Sequence, residues 1–204
     1  LGFARVRELT NGNYLVVSPR WNNGAASDAG AVTWGSGTTG VSGVISGANS
    51  LVGASADDRI GMLYVVPLSN GNYVLTSWFW DNGAFIDAGA ATWGNGTTGT
   101  SGVVSAANSL VGTTAYDGID IFTTALPDGN YVVSFPWWNN GAVADAGAVS
   151  WCNGASVTSG VVSAANSLVG SADLDFVGNG LVTVLTSGNY VVRSWKWHDQ
   201  RAAA

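Results

Sequence analysis

Charge is what this chain of 204 residues has least of. Asp, Glu, Lys and Arg together make up 10% of it, against roughly 25% in an ordinary globular protein. Seven basic residues, of which only Lys196 is a lysine, face 13 acidic ones, and the net charge is −6. Gripping a nucleic acid or an anionic membrane surface takes a basic stripe that neutralises phosphates, and the sequence holds none. Cys152 is the only cysteine, so no intrachain disulfide supports the fold. His198 is the only histidine, and neither it nor Cys152 has a partner at the spacing of a Ser/His/Asp or Cys/His site. P-loop, dinucleotide-fold and zinc signatures are missing as well. No apolar run reaches the roughly 18 residues of a membrane-spanning helix. These shortages point away from an enzyme, from any cofactor or metal, from nucleic-acid binding and from membrane insertion. An opening at Leu1 reads as a mature or excised piece.

Glycine and aromatics are abundant: 29 Gly, 10 Trp, 6 Tyr and 6 Phe. They fall into a repeat. The stretch from Leu68 to Gly83, LSNGNYVLTSWFWDNG, has near-copies starting at Leu9, Leu126 and Leu185, and its tyrosine recurs at Tyr14, Tyr73, Tyr131 and Tyr190. The period is close to 59 residues, long enough for several short strands per unit. Each copy pairs a strand end, an Asn-Gly or related turn and a second run of β-formers, the signature of a hairpin. A type I′ turn with left-handed Gly12 and Gly71 is the expected geometry, and the four tyrosines are expected to be buried equivalents.

In order, strand one is expected at Leu1 to Leu9, Met62 to Leu68, Ile121 to Leu126 and Leu181 to Leu185. Strand two is Asn13 to Ser18 and its equivalents, and strand three is Ala31 to Trp34, Ala90 to Trp93 and Ala148 to Trp151. Strand four is placed at Val44-Ile45-Ser46, Val103-Val104-Ser105 and Val161-Val162-Ser163. A closing Ala-Asn-Ser-Leu-Val-Gly follows each of these. No segment carries a helical period. The chain divides into units 1–57, 58–116 and 117–174, a half unit 175–201 and a tail 202–204. The expected class is all-β, with tandem four-stranded antiparallel repeats of about 59 residues, propeller-like because hairpins make antiparallel pairs. A β-solenoid is the alternative.

The run Asp-x-x-Gly, Leu-x-x-Gly-Asn-Tyr-Val-Val, Ala-Gly-Ala-Val-x-Trp and Ala-Asn-Ser-Leu-Val-Gly resembles the repeats of large bacterial surface proteins of the filamentous-haemagglutinin type. It is similar, more loosely, to the FG-GAP blades of integrin α-subunits. The first resemblance implies an extracellular or cell-surface structural or adhesive module. Calcium is not carried over from the second, since the Asp-x-Asp-x-Asp-Gly loop is replaced here by Trp-Asn-Asn-Gly.

Two columns of tryptophan stand out: Trp21, Trp80, Trp138 and Trp197 after strand two, and Trp34, Trp93 and Trp151 ending strand three. A flat ring beside amides is how many sugar sites work. Trp21, Asn22, Trp80, Asp81, Trp138, Asn139 and Trp197 are therefore candidate glycan-binding residues of a multivalent lectin. The competing reading packs both columns between repeats. Two acidic columns, Asp28, Asp87 and Asp145, and Asp58, Asp117 and Asp175, are expected to cap turns by accepting backbone N–H groups; acid–base chemistry or cation binding is the other use of such carboxylates. The leading function is a non-enzymatic structural or adhesive module whose partners are neighbouring repeats or further copies. The lectin, with glycans as partners, is the alternative.

Overall fold

The computed structural model describes residues 5–197. Phe3, His198 and the tail 202–204 lie outside them. The described chain is all-β without a helix. Unit one forms β1 (Arg5–Glu8), β2 (Tyr14–Ser18), β3 (Ala31–Gly35) and β4 (Ser50–Val52). Unit two follows with β5 (Tyr64–Pro67), β6 (Tyr73–Ser77), β7 (Ala90–Gly94), β8 (Gly102–Val103) and β9 (Ser109–Val111). Unit three holds β10 (Phe122–Ala125), β11 (Tyr131–Phe135), β12 (Ala148–Cys152), β13 (Gly160–Val161) and β14 (Leu168–Val169), and the half unit holds β15 (Val182–Val184) and β16 (Tyr190–Val192).

Each full unit contributes a four-stranded antiparallel sheet, for example β1-β2-β3-β4. The expected fourth strand is displaced. The Ser-Leu-Val of the closing motif is the real fourth strand, while the Gly-Val segment before it leaves its own unit and joins the previous sheet in parallel. β8 pairs with β4, Leu51 opposite Gly102, and β13 pairs with β9, Leu110 opposite Gly160. Val104 and Val162 continue those ladders through N–H bonds of 3.0 Å to Val52 and Val111. Val44-Ile45-Ser46 pairs with no sheet among the described residues, is not a strand, and leaves Val44 86% exposed. A strand needs an edge to pair with, and the repeat motif alone cannot say whose.

The hairpin turn also differs from type I′. Gly12 and Gly71 do hold left-handed φ, +82° and +91°, whereas Asn11 and Asn70 do not. The bonds Gly12 N–H to Leu9 O and Leu9 N–H to Asn13 O define a type I turn closed by a left-handed glycine, a three-residue loop. Asn11 Oδ1 accepts the Asn13 N–H at 3.1 Å, which favours the longer loop.

Alternation along strand two decides how units stack. Leu15 and Val17 of β2 share a buried cluster with Tyr73 and Leu75 of β6; Val74 of β6 shares the next with Tyr131, Val133 and Phe135 of β11. Tyr, Tyr+2 and Tyr+4 thus face the preceding unit, and the residues between face the following one. A third cluster joins Val132 and Val149 to half-buried Tyr190 and Val192. Among the described residues each buried cluster links neighbouring units, and none links the first to the last.

Candidate functional site

The residues singled out in the sequence meet at the junctions between units. Trp80 and Trp138, 5% and 4% exposed, lie inside the first and second buried clusters. Placement there corrects the expectation that they offer sugar-stacking faces: a ring covered on both sides has none to give. Burying an indole removes on the order of 200 Å² from water, worth up to about 5 kcal/mol. The Trp138 indole N–H has no hydrogen-bond partner, so burial alone holds that ring. The column is open only at its ends, where Trp21 is half-buried and Trp197 is 59% exposed.

The residue after each loop tryptophan is occupied within its own loop. Asn22, Asp81 and Asn139 accept, through Oδ1, the N–H of Asp28, Asp87 and Asp145 at 2.9, 2.9 and 2.8 Å. The next asparagines, Asn23, Asn82 and Asn140, donate from Nδ2 to the carbonyls of Gly53, Gly112 and Gly170. Asp28, Asp87 and Asp145 do not cap through their carboxylates, as expected of them. They adopt left-handed φ of 50°, 51° and 50°, which Asp tolerates better than most residues, and their carbonyls accept the N–H groups of Arg59, Gly118 and Phe176.

The second acidic column does cap, and it also reaches to the loop that carries the next tryptophan. Asp58, Asp117 and Asp175 are 1%, 0% and 0% exposed. Oδ2 of Asp58 accepts Ala54 and Ser55 N–H, both at 2.8 Å, and Oδ1 accepts the Asp81 N–H at 3.0 Å from the loop that carries Trp80. Asp117 repeats the pattern with Thr113, Thr114 and the Asn139 N–H, and takes a further bond of 2.6 Å from the Thr114 hydroxyl. Asp175 accepts Ser171 and Ala172 N–H. Burial pushes Asp58 and Asp117 above the usual carboxylate range, against the N–H donors that pull them down. Asp87 and Asp145 are raised as well, by burial first and then by nearby carboxylates.

Strand three supplies the other clamp. The indole N–H of Trp34 donates to the carbonyl of Gly96 in the next unit at 2.9 Å, and Asn11 and Asn13 donate to the same oxygen at 2.8 and 2.9 Å. Trp93, Asn70 and Asn72 converge in the same way on Gly154. The Gly96 Cα lies so close to the Gly71 carbonyl that a Cβ would overlap it, which is why glycine stands at this position. Periodicity flagged the tryptophans; nothing in the sequence marked Gly96 and Gly154 as their acceptors, because a backbone carbonyl leaves no compositional trace. Cys152 is buried opposite Tyr131 on the neighbouring strand, and burial lifts its thiol to about 11. A thiol so hard to ionise fills space where Gly35 and Gly94 leave room for a tyrosine ring.

A family model described as a repeat of unknown function (DUF5650) matches residues 8–62, 67–121, 125–179 and 184–204. The chain belongs to this repeat family. No curated protein and no solved structure matches it. The four matches start one strand after the units read from the sequence and confirm a tandem repeat protein; the half unit is a match of its own.

Proposed function

We propose that the chain is a non-enzymatic structural and adhesive repeat module of an extracellular bacterial protein, able to continue from one unit to the next by a fixed joint. One observation carries this reading: at the two full junctions the repeated polar side chains are spent on the joint itself. Carboxylates of Asp58 and Asp117, which lie at the ends of the family repeats 8–62 and 67–121, hold the loop of the repeat that follows, while Trp34 and Trp93 with their asparagines hold the next unit's glycine carbonyl. A chain so poor in charge that invests its polar groups in self-attachment is suited to bearing load or spacing other domains. The resemblance to haemagglutinin-type surface repeats supports the location. A lectin built on the Trp-Asn-Asn-Gly loops retains only the two end tryptophans, Trp21 and Trp197, as open rings.

Protease shaving of intact cells that make the protein tests the proposal. Peptides of this chain released before lysis, together with retention of the purified chain on host-cell or matrix surfaces, are expected. Release only after lysis overturns the extracellular reading, and failure to adhere overturns the adhesive one.

A further inference from the structure

The first junction holds an opening beside its strand-three tryptophan. Beside Trp34, which is half-buried, lies a cleft of about 220 Å³ with one wall from unit one and the other from the loop between β7 and β8. It falls below the ~300 Å³ at which pockets for drug-sized ligands begin and suits a single small ring. The Trp34 N–H is already bonded to Gly96, so the indole offers the cleft its apolar surface only. Thr98, Thr100 and Ser101 line the rim; the Thr98 hydroxyl donates to the Gly99 carbonyl at 3.3 Å and keeps its acceptor capacity, and the Thr100 hydroxyl accepts the Asn95 N–H at 2.8 Å and keeps its proton to donate. Asn49 uses one of its two amide hydrogens on the Val44 carbonyl, which leaves the other to donate. No lining residue is charged.

Gly99 lets the backbone of this loop lie against the indole. Its φ is +79°, and a Cβ there would stand 2.9 to 3.3 Å from the Cβ, Cγ and Cδ2 of Trp34. The corresponding residue at the second junction is Val157, and there Trp93 is 8% exposed. A further polar group lies close by: the Tyr73 hydroxyl, buried and lacking a hydrogen bond of good geometry, has Thr100 as a polar neighbour.

The geometry points to a binding site for one neutral pyranose, its apolar face on the Trp34 indole and its hydroxyls bonded to Asn49, Thr98, Thr100 and Ser101. An aromatic platform flanked by uncharged donors and acceptors matches a sugar ring, which is apolar on its faces and polar on its edge. An uncharged lining in a chain of net charge −6 disfavours acidic sugars. The site is separate from the Trp-Asn-Asn-Gly loops and does not depend on where the protein resides.

The full chain, titrated with D-glucose, D-galactose, N-acetyl-D-glucosamine and D-glucuronate while its indole N–H signals are followed by NMR, tests this. A saturable shift of the Trp34 signal in the millimolar range by at least one neutral sugar is expected, with Trp93 unmoved and the glucuronate weaker by about tenfold or more. Ala48→Trp, at an exposed rim position, fills the cleft and is expected to abolish the shift without changing the melting temperature; Ser101→Tyr is a second block on the opposite wall. No saturable shift with any neutral sugar, shifts centred on a different tryptophan, or binding that survives both blocks overturns the site.

Discussion

Leu110 and Leu168 occupy the same place in the same motif, yet one is 1% exposed and the other 59%. Trp93 and Trp151 make the same contrast, 8% against 50%. Strand two of unit two is buried at all five positions, whereas in unit one it alternates between half-buried and buried, and in the half unit no position is buried. Local structure is common to these pairs; what differs is the neighbour. Val103 and Val104 extend the sheet that carries β4, and Val161 and Val162 the sheet that carries β9, while β14 has no such addition. In this chain the hairpins pair within their own unit and are buried against the units on either side, so stability resides at the junctions.

The comparison is broken most directly at the buried carboxylate. Asp117→Ala strands the Thr113, Thr114 and Asn139 N–H groups at the second full junction, and at about 1–3 kcal/mol for each buried donor left unpaired a loss of about 3–5 kcal/mol is expected by urea denaturation. Asp175→Ala at the outer junction should cost less. Equal losses would mean that the two junctions are equally tight.

Gly71→Val combines a left-handed backbone with a Cβ position 3.1 Å from the Asn11 side chain, whereas Gly188 has the same conformation and open space. Left-handed backbone costs a residue with a Cβ roughly 1–2 kcal/mol, so Gly188→Val should lose about that much and Gly71→Val more. A melting temperature unchanged by Gly71→Val would remove the turn assignment.

Trp93→Phe keeps most of the ring and deletes the bond to Gly154; about 1–2 kcal/mol should be lost. Trp151→Phe, half exposed, should change stability by under about 0.5 kcal/mol. Hydrogen exchange on the same variants sharpens the contrast, with β6 and β11 slowest and β16 fastest. Rapid exchange in β6 would show that the inner sheet is not the core.

The smallest effect is in pH. Asp58, Asp87, Asp117 and Asp145 have folded-state values raised above 3.8, so between 3.8 and those raised values the folded chain binds more protons than the unfolded one. Their contribution is full below 3.8 and is lost as pH rises through the folded values. The melting temperature should therefore rise as pH is lowered from neutral toward about 4, and Asp117→Asn should flatten the slope. A fall over that range would mean that the N–H donors outweigh burial.

Much of this architecture was legible in the chain. The period of about 59, the hairpins around Gly12 and Gly71, the first three strands of each full unit and the capping role of Asp58 follow from spacing and turn chemistry, which act over a few residues and leave their mark in composition. Three things did not follow. The Gly-Val segment at Gly102 reads as a strand in any unit, but whether it pairs within its own sheet or the previous one depends on where the neighbouring edge lies. Trp80 reads equally as a binding ring or a packing ring, because an indole beside amides suits both water and a junction; only its two covered faces decide. Trp34 and Trp93 share one motif, yet one is half-buried and the other 8% exposed, because their cover comes from across a unit boundary. Sequence determined what each unit is, since local bonds do; the tertiary structure determined which surfaces are spent on neighbours, since burial is a property of the pair.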